Sequence, residues 1–110
     1  FVLTNSAQVP LGLIDLYDYD ALHCRAGVGI VIEEENRGKG WAKVALTLIE
    51  EIAFSHLQLH QLYAGVGADN VASLSLFEKA GYVQTAVKKD WNFYNNDYHD
   101  EVVFQKINHV

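Results

Sequence analysis

At 110 residues the chain is of single-domain length and half hydrophobic, which excludes a disordered segment. A net charge of −6 argues against a general nucleic-acid or anionic-membrane binder and is compatible with cationic partners. No apolar run approaches the roughly 18 residues of a membrane helix and no secretory leader is recognisable; the single cysteine, Cys24, rules out an internal disulfide and points to a reducing, cytoplasmic compartment.

The chain starts at Phe1, contains no methionine and enters strand-like sequence at once, the pattern of an N-terminally incomplete segment. Residues 1–6 read as a short strand. In "VPLGLIDLYDYD" apolar and acidic or aromatic residues alternate from Leu11 to Asp18, the period of a half-buried strand, with Pro10 at its start. "AGVGIVIE", residues 26–33, is a β-branched apolar run that fits a strand buried on both faces. From Lys39 to about Phe54, Trp41, Val44, Ala45, Leu48, Ile49 and Ile52 fall on one helical face, with Lys43, Thr47 and Glu51 opposite. "LHQLYAGVG", residues 59–67, is a further strand. In "ADNVASLSLFEKAGY", Asp69 or Asn70 can cap a helix that Gly81 ends. Two long strands follow, about 82–94 and 98–107, joined through "YNNDYHD", a hairpin turn rich in residues that tolerate left-handed geometry. The order β-β-β-α-β-α-β-β gives an α+β fold with a mixed sheet, in which residues 26–66 form a right-handed βαβ crossover.

The stretch "EENRGKGWA", residues 34–42, sets Gly38 and Gly40 two apart, flanks them with Arg37 and Lys39, and runs into the first helix. A helix beginning there leaves its first amides unpaired and carries roughly +0.5 charge at that end. Glycines let the backbone come close to a pyrophosphate, and two cations stand at the rim. The plain alternative is an ordinary strand–helix turn with surface cations. A P-loop needs G-x-x-x-x-G-K-[ST], which does not precede Lys39; a dinucleotide fingerprint needs a third glycine that "GVGIVI" and "GVGADN" lack.

The stretch resembles the phosphate loop of the GNAT superfamily of acyl-coenzyme A N-acyltransferases, Q/R-x-x-G-x-G/A, over Glu35 to Gly40, with Glu35 departing at the first position. "ADNVASLSLFEKAGY" is similar to that family's second signature, and "DWNFYNNDYHDEVVF" resembles the final hairpin of the branch containing spermidine and ribosomal-protein N-terminal acetyltransferases. The element order matches as well, without the family's first strand and first two helices. The resemblance implies a splayed mixed sheet flanked by helices and acetyl-coenzyme A as acetyl donor. Ile30, Val31 and Ile32 would offer backbone groups to the pantetheine arm. Arg37, Gly38, Lys39, Gly40, Trp41 and Ala42 would surround the pyrophosphate, and Asn70, Ser73 and Phe77 would lie near the thioester.

The reaction so implied is attack of a neutral primary amine on the thioester, with a backbone N–H of strand 26–33 at the developing oxyanion. The branch places a tyrosine as general acid where this chain has Phe77, which cannot donate a proton. Ser73, Ser75 and Tyr82 are the nearby hydroxyls, with Ser73 the substitute donor of choice and Tyr82 reading as core. Among the acids of "LIDLYDYD", Asp15 and Asp18 face opposite ways while Asp18 and Asp20 share a face; Asp18 is the candidate base, against a reading as solvated strand charge. His56 and His60 are four apart but lack a third ligand, so no metal site is expected. Cys24 beside His23 reads as a loop thiol, His99 as a structural turn residue, and Trp91, Phe93 and Tyr94 as mostly packing. The expected acceptor is a polyamine or diamine, with a peptide N-terminus second. A non-catalytic acyl-coenzyme A sensor, or a segment active only with a missing part, are the other classes. A homo-oligomer is compatible with all of them; nucleic acid and membrane are not expected partners.

Overall fold

The computed structural model describes residues 2–4, 10–32 and 37–109, which group into two compact units: Phe1–Leu62 with Asn108–Val110, and Tyr63–Ile107. The elements follow the expected order: β1 (Val2–Thr4), β2 (Pro10–Asp20), β3 (Arg25–Ile32), α1 (Trp41–Glu51), β4 (Gln61–Gly67), α2 (Val71–Lys79), β5 (Val83–Tyr94) and β6 (Asp97–Ile107).

In the first unit β1, β2 and β3 form an antiparallel run in that order, with Leu13 opposite Val2 on one side and Val31 on the other. β2 runs two residues beyond the expected end at Asp18. Asp18 itself takes φ 49, and the β2–β3 register shifts between Tyr17 and Asp20. This bulge breaks the two-residue period, so the rule that put Asp18 and Asp20 on one face does not apply. Asp20 instead closes the turn into β3: its Oδ1 accepts the His23 amide at 2.9 Å and its Oδ2 lies 3.9 Å from Arg25.

Helix α1 begins at Trp41, two residues later than expected, because Gly38 and Gly40 both take positive φ and hold Lys39 outside the helix. After Glu51 it continues as a π-helical turn, Ile52–His56, with the Leu57 amide reaching the Ile52 carbonyl at 2.9 Å. The buried stripe is Ala45, Leu46, Ile49 and Ala53; α1 packs on β2 and β3, whose buried apolar residues are Leu11, Ile14, Ala26 and Val28. The expected face is rotated in part: Ala45 and Ile49 are buried and Lys43, Thr47 and Glu51 exposed as expected, but Val44 is 46% and Leu48 50% exposed and Leu46 and Ala53 are buried instead. Apolar residues cover more than half of this helix, so periodicity alone leaves its rotation open. At its far end the His60 and Gln61 amides both reach the Cys24 carbonyl, at 2.8 and 3.3 Å.

In the second unit the strand order is β4-β6-β5, with β5 and β6 an antiparallel hairpin. Its turn is the pair Asn95–Asn96 at φ 51 and 58, the left-handed geometry a two-residue hairpin needs. The core consists of Ala64, Val66, Phe77, Tyr82, Val102 and Phe104. Asn70 caps α2 by accepting the Ser73 amide at 3.2 Å, and Gly81, at φ 91, ends it.

Candidate functional site

At the start of α1, the sequence and the backbone agree on a glycine turn that opens the helix without a side-chain cap. β3 ends at Ile32; residues 33–36, including Glu35 at the first position of the loop pattern, lie outside the described residues. Arg37 returns to the strand, its Nε–H donating to the Ile32 carbonyl at 3.1 Å. Gly40 is the N-cap with φ 80 and ψ 5, and it offers no side chain to the helix amides. Its carbonyl accepts the Val44 amide at 3.2 Å, the first bond of the helix. The amides of Trp41, Ala42 and Lys43 therefore have no intrahelical acceptor. No acidic residue stands in the first turn to take their place. A left-handed Gly40 followed by right-handed Trp41 turns successive N–H groups toward one side, the concave arrangement that holds oxyanions. Arg37, Gly38, Lys39 and Gly40 are all exposed, and a Cβ placed on either glycine would meet nothing within 4 Å. The glycines are thus demanded by backbone conformation, and among the described residues nothing fills the space beside them.

β3 brings Ile30, Val31 and Ile32 up to this turn, with Ile30 and Ile32 half-buried, Val31 exposed, and all three paired along one edge with Ile14, Leu13 and Gly12 of β2. Asp18 is exposed at the β2 bulge. Asp20 is occupied in the turn, where the His23 amide, assisted by the charges of His23 and Arg25, holds its carboxyl below the usual range. Cys24 takes φ 53 in the same turn and donates its thiol to the Ala21 carbonyl at 3.5 Å. Among the described residues no group of three or more His, Cys, Asp or Glu side chains is placed to hold a metal ion.

In the second unit Asn70 uses its Oδ1 as the α2 cap, and Ser73 and Ser75 are half-buried. Phe77, which the resemblance places near the thioester, is a buried side chain. It is 4% exposed, stacked on Phe104 at 5.9 Å and edge-on to Tyr82 at 5.0 Å. The i+5 spacing to Tyr82 and the apolar ring make it a core residue, and Tyr82 is buried with it. His99 is structural as expected, with its ring stacked on Tyr94 at 3.8 Å.

Sequence reasoning missed two polar links in this unit. The Tyr94 hydroxyl donates to the Asp69 carboxylate, and Asp100 accepts both the Asp90 amide at 2.9 Å and Lys89 Nζ at 3.2 Å. Partners 25 and 10 residues apart leave no trace in local spacing. Only the strand pairing of β5 with β6 could have suggested the second.

No helix among the described residues is long and apolar enough to cross a membrane. The acetyltransferase (GNAT) domain family matches residues 1–83. The spermidine N(1)-acetyltransferase of Vibrio cholerae is 29% identical over 100 residues, covering 91% of this chain and 58% of that protein. A putative ribosomal N-acetyltransferase, YdaF of Bacillus subtilis, is 27% identical over 96 residues, covering 87% of this chain and 52% of that protein. Among solved structures, a dodecameric spermidine N-acetyltransferase from Vibrio cholerae superposes with a TM-score of 0.92 at 26% identity, covering 96% of this chain and 62% of that one. The chain therefore spans between half and two thirds of the length of these relatives. With the family's α+β architecture present and its domain matched over most of the sequence, this chain belongs to the GNAT acetyltransferase domain family.

Proposed function

We propose that this chain binds acetyl-coenzyme A at the start of α1 and serves acetyl transfer to the primary amine of a polyamine or diamine. The observation that carries the reading is the uncapped first turn of α1 behind two left-handed glycines, with Arg37 and Lys39 alongside. Three amides without intrahelical acceptors, a first helical turn free of acidic residues and, among the described residues, open space above Gly38 and Gly40 suit a pyrophosphate. The resemblance adds Ile30, Val31 and Ile32 for the pantetheine arm and, in the second unit, Asn70 and Ser73 at the start of α2.

When bound, acetyl-coenzyme A supplies an acyl thioester, so that attack by an amine forms an amide bond and releases the thiol. The chain's part is to orient, to stabilise charge and to handle protons. Backbone N–H groups of β3 serve the developing oxyanion. Asp18, exposed at the β2 bulge, accepts the amine's proton through water, and Ser73 is the hydroxyl assigned to the departing sulfur. Phe77 leaves the family's acid position without a proton. A thiol of pKa about 8.5 is a fair leaving group near neutrality, so the missing acid costs toward the lower end of the roughly 10²–10⁴-fold that such assistance provides.

The polyamine acceptor is supported by the chain's net charge of −6 and by the spermidine acetyltransferases among its relatives. Their dodecameric member supports a homo-oligomer, and the lone cysteine supports a cytoplasmic setting. The test is thiol release from acetyl-coenzyme A by a Cys24→Ser variant, which removes the protein's own thiol, with spermidine, a diamine and a peptide bearing a free N-terminus. Release with spermidine or the diamine supports the reading. Release with the peptide alone moves the acceptor to protein N-termini, and coenzyme binding without release on any amine makes the chain a sensor.

A further inference from the structure

The strand β4 ends at Gly67 and α2 begins at Val71, so three residues, Ala68, Asp69 and Asn70, set the direction of the helix. Within this link the Asn70 amide reaches the Gly67 carbonyl at 2.9 Å and the Val71 amide the Asp69 carbonyl at 3.1 Å. These are local bonds of a short turn, and local bonds alone do not fix where a helix points. Two bonds from the β5–β6 hairpin grip the turn from outside. The Ala68 amide donates to the Asp100 carbonyl at 2.9 Å, and one residue further on the Asp69 carboxylate takes the Tyr94 hydroxyl.

The arm that delivers Tyr94 is itself held. Its ring lies flat against His99, with centroids 3.8 Å apart and planes 10° apart, and His99 Nε2 sits 3.1 Å from the Tyr94 carbonyl. The two-asparagine turn behind it is tight, and where the β5–β6 register shifts between Lys88 and Asn92, Asp100 ties β5 down through the Asp90 amide and Lys89. Asp69 draws the phenol's pKa up to about 12, so the hydroxyl remains a donor throughout the neutral range.

We propose that Tyr94 is a positioning residue: acting through Asp69, it fixes the turn from which Asn70 caps α2 and thereby sets the first helical turn that carries Ser73. The inference rests on the coenzyme reading above only for its functional consequence. The Asn70 cap onto the Ser73 amide is the immediate beneficiary, because it is one residue from the gripped carboxylate. Nothing else in the chain ties the Asp69 side chain to the hairpin among the bonds described. The grip by Asp100 uses a main-chain carbonyl and survives any side-chain change, so removing the Tyr94 hydroxyl loosens the link without releasing it.

The test compares Tyr94→Phe, which keeps the stacked ring, with Asp69→Ala and with Asp69→Asn, which retains an acceptor oxygen. Hydrogen exchange reads the structure and calorimetry with coenzyme A reads the function. In Tyr94→Phe and Asp69→Ala the Ser73 and Leu74 amides exchange faster while those of β2 and β3 hold. Loss of one such bond weakens coenzyme A binding, and raises KM for acetyl-coenzyme A, by about threefold to tenfold with a smaller change in kcat. Asp69→Asn returns both readouts toward the parent. Unchanged exchange at Ser73 and Leu74 in Tyr94→Phe overturns the proposal, as does uniform acceleration across the whole chain or failure of Asp69→Asn to rescue. Should the parent chain bind no coenzyme A, the functional reading falls, and the exchange data still decide the positioning role.

Discussion

Arg37 donates its Nε–H to the Ile32 carbonyl across 3.1 Å, joining the first residue of the glycine turn to the last residue of β3. One side chain therefore ties two elements that the proposed site uses, and it leaves the rest of a planar cation at the mouth of the turn. Arg37→Ala is expected to weaken coenzyme A binding by about threefold to tenfold, the scale of one exposed charge near a helix N-terminus plus one hydrogen bond. Arg37→Lys should recover part of the charge and little of the geometry, because an ammonium lacks the fork. Calorimetry at low and high salt checks both, since the charge portion fades with screening and the hydrogen-bonded portion does not.

Gly40 holds φ 80 in open space, so a side chain there is opposed by backbone conformation alone. Gly40→Ala is expected to cost about 1–2 kcal/mol in stability, the penalty of a left-handed L-residue. Gly40→Asn should cost less and Gly40→Val more, an order that chemical denaturation can establish. If the three cost the same, the turn has relaxed into another conformation. Gly38→Asp, at φ 77, adds a carboxylate to the proposed anion site and should abolish coenzyme A binding in calorimetry.

Phe77 lies between Phe104 and Tyr82 and is nearly inaccessible. Phe77→Ala is expected to destabilise by roughly 3–5 kcal/mol, the usual cost of emptying an aromatic core site. An unfolding free energy, taken from urea titration, that falls by less than a fifth of that would mean the ring is not closely packed.

Asp100 has its carboxyl held below the ordinary 3.8, first by the Asp90 amide and then by Lys89. A depressed value in the folded state means its contribution is complete above the unfolded value and disappears as pH falls through the folded one. Thermal midpoints measured downward from about pH 6 to about pH 2 should therefore fall less steeply in Asp100→Asn than in the parent in the acid range. The variant keeps an oxygen for the Asp90 amide and loses only the charge. Parallel curves would show that the carboxylate titrates alike in both states.

What the sequence disclosed follows from how local each signal is. The α2 boundaries were readable because Asn70 and Gly81 act within their own turn, and the hairpin because Asn95 and Asn96 tolerate the conformation it requires. The rotation of α1 was not, since Val44, Leu46 and Leu48 are equally apolar and only the strands beneath decide which is buried. The bulge at Asp18 was also hidden, because an aspartate at φ 49 leaves the alternation of its neighbours intact on paper. At the candidate site, the glycine turn was evident from four consecutive residues, Arg37 to Gly40. The Arg37–Ile32 bond and the Tyr94–Asp69 bond needed the folded chain.

The central claim is met most directly by amide chemical shifts during titration with acetyl-coenzyme A. The expected result is that the largest saturable shifts fall on Gly38, Lys39, Gly40, Trp41, Ala42 and Lys43, and that a pantetheine derivative without the pyrophosphate leaves those six unmoved. Saturable binding of the coenzyme with those amides undisturbed would contradict the account.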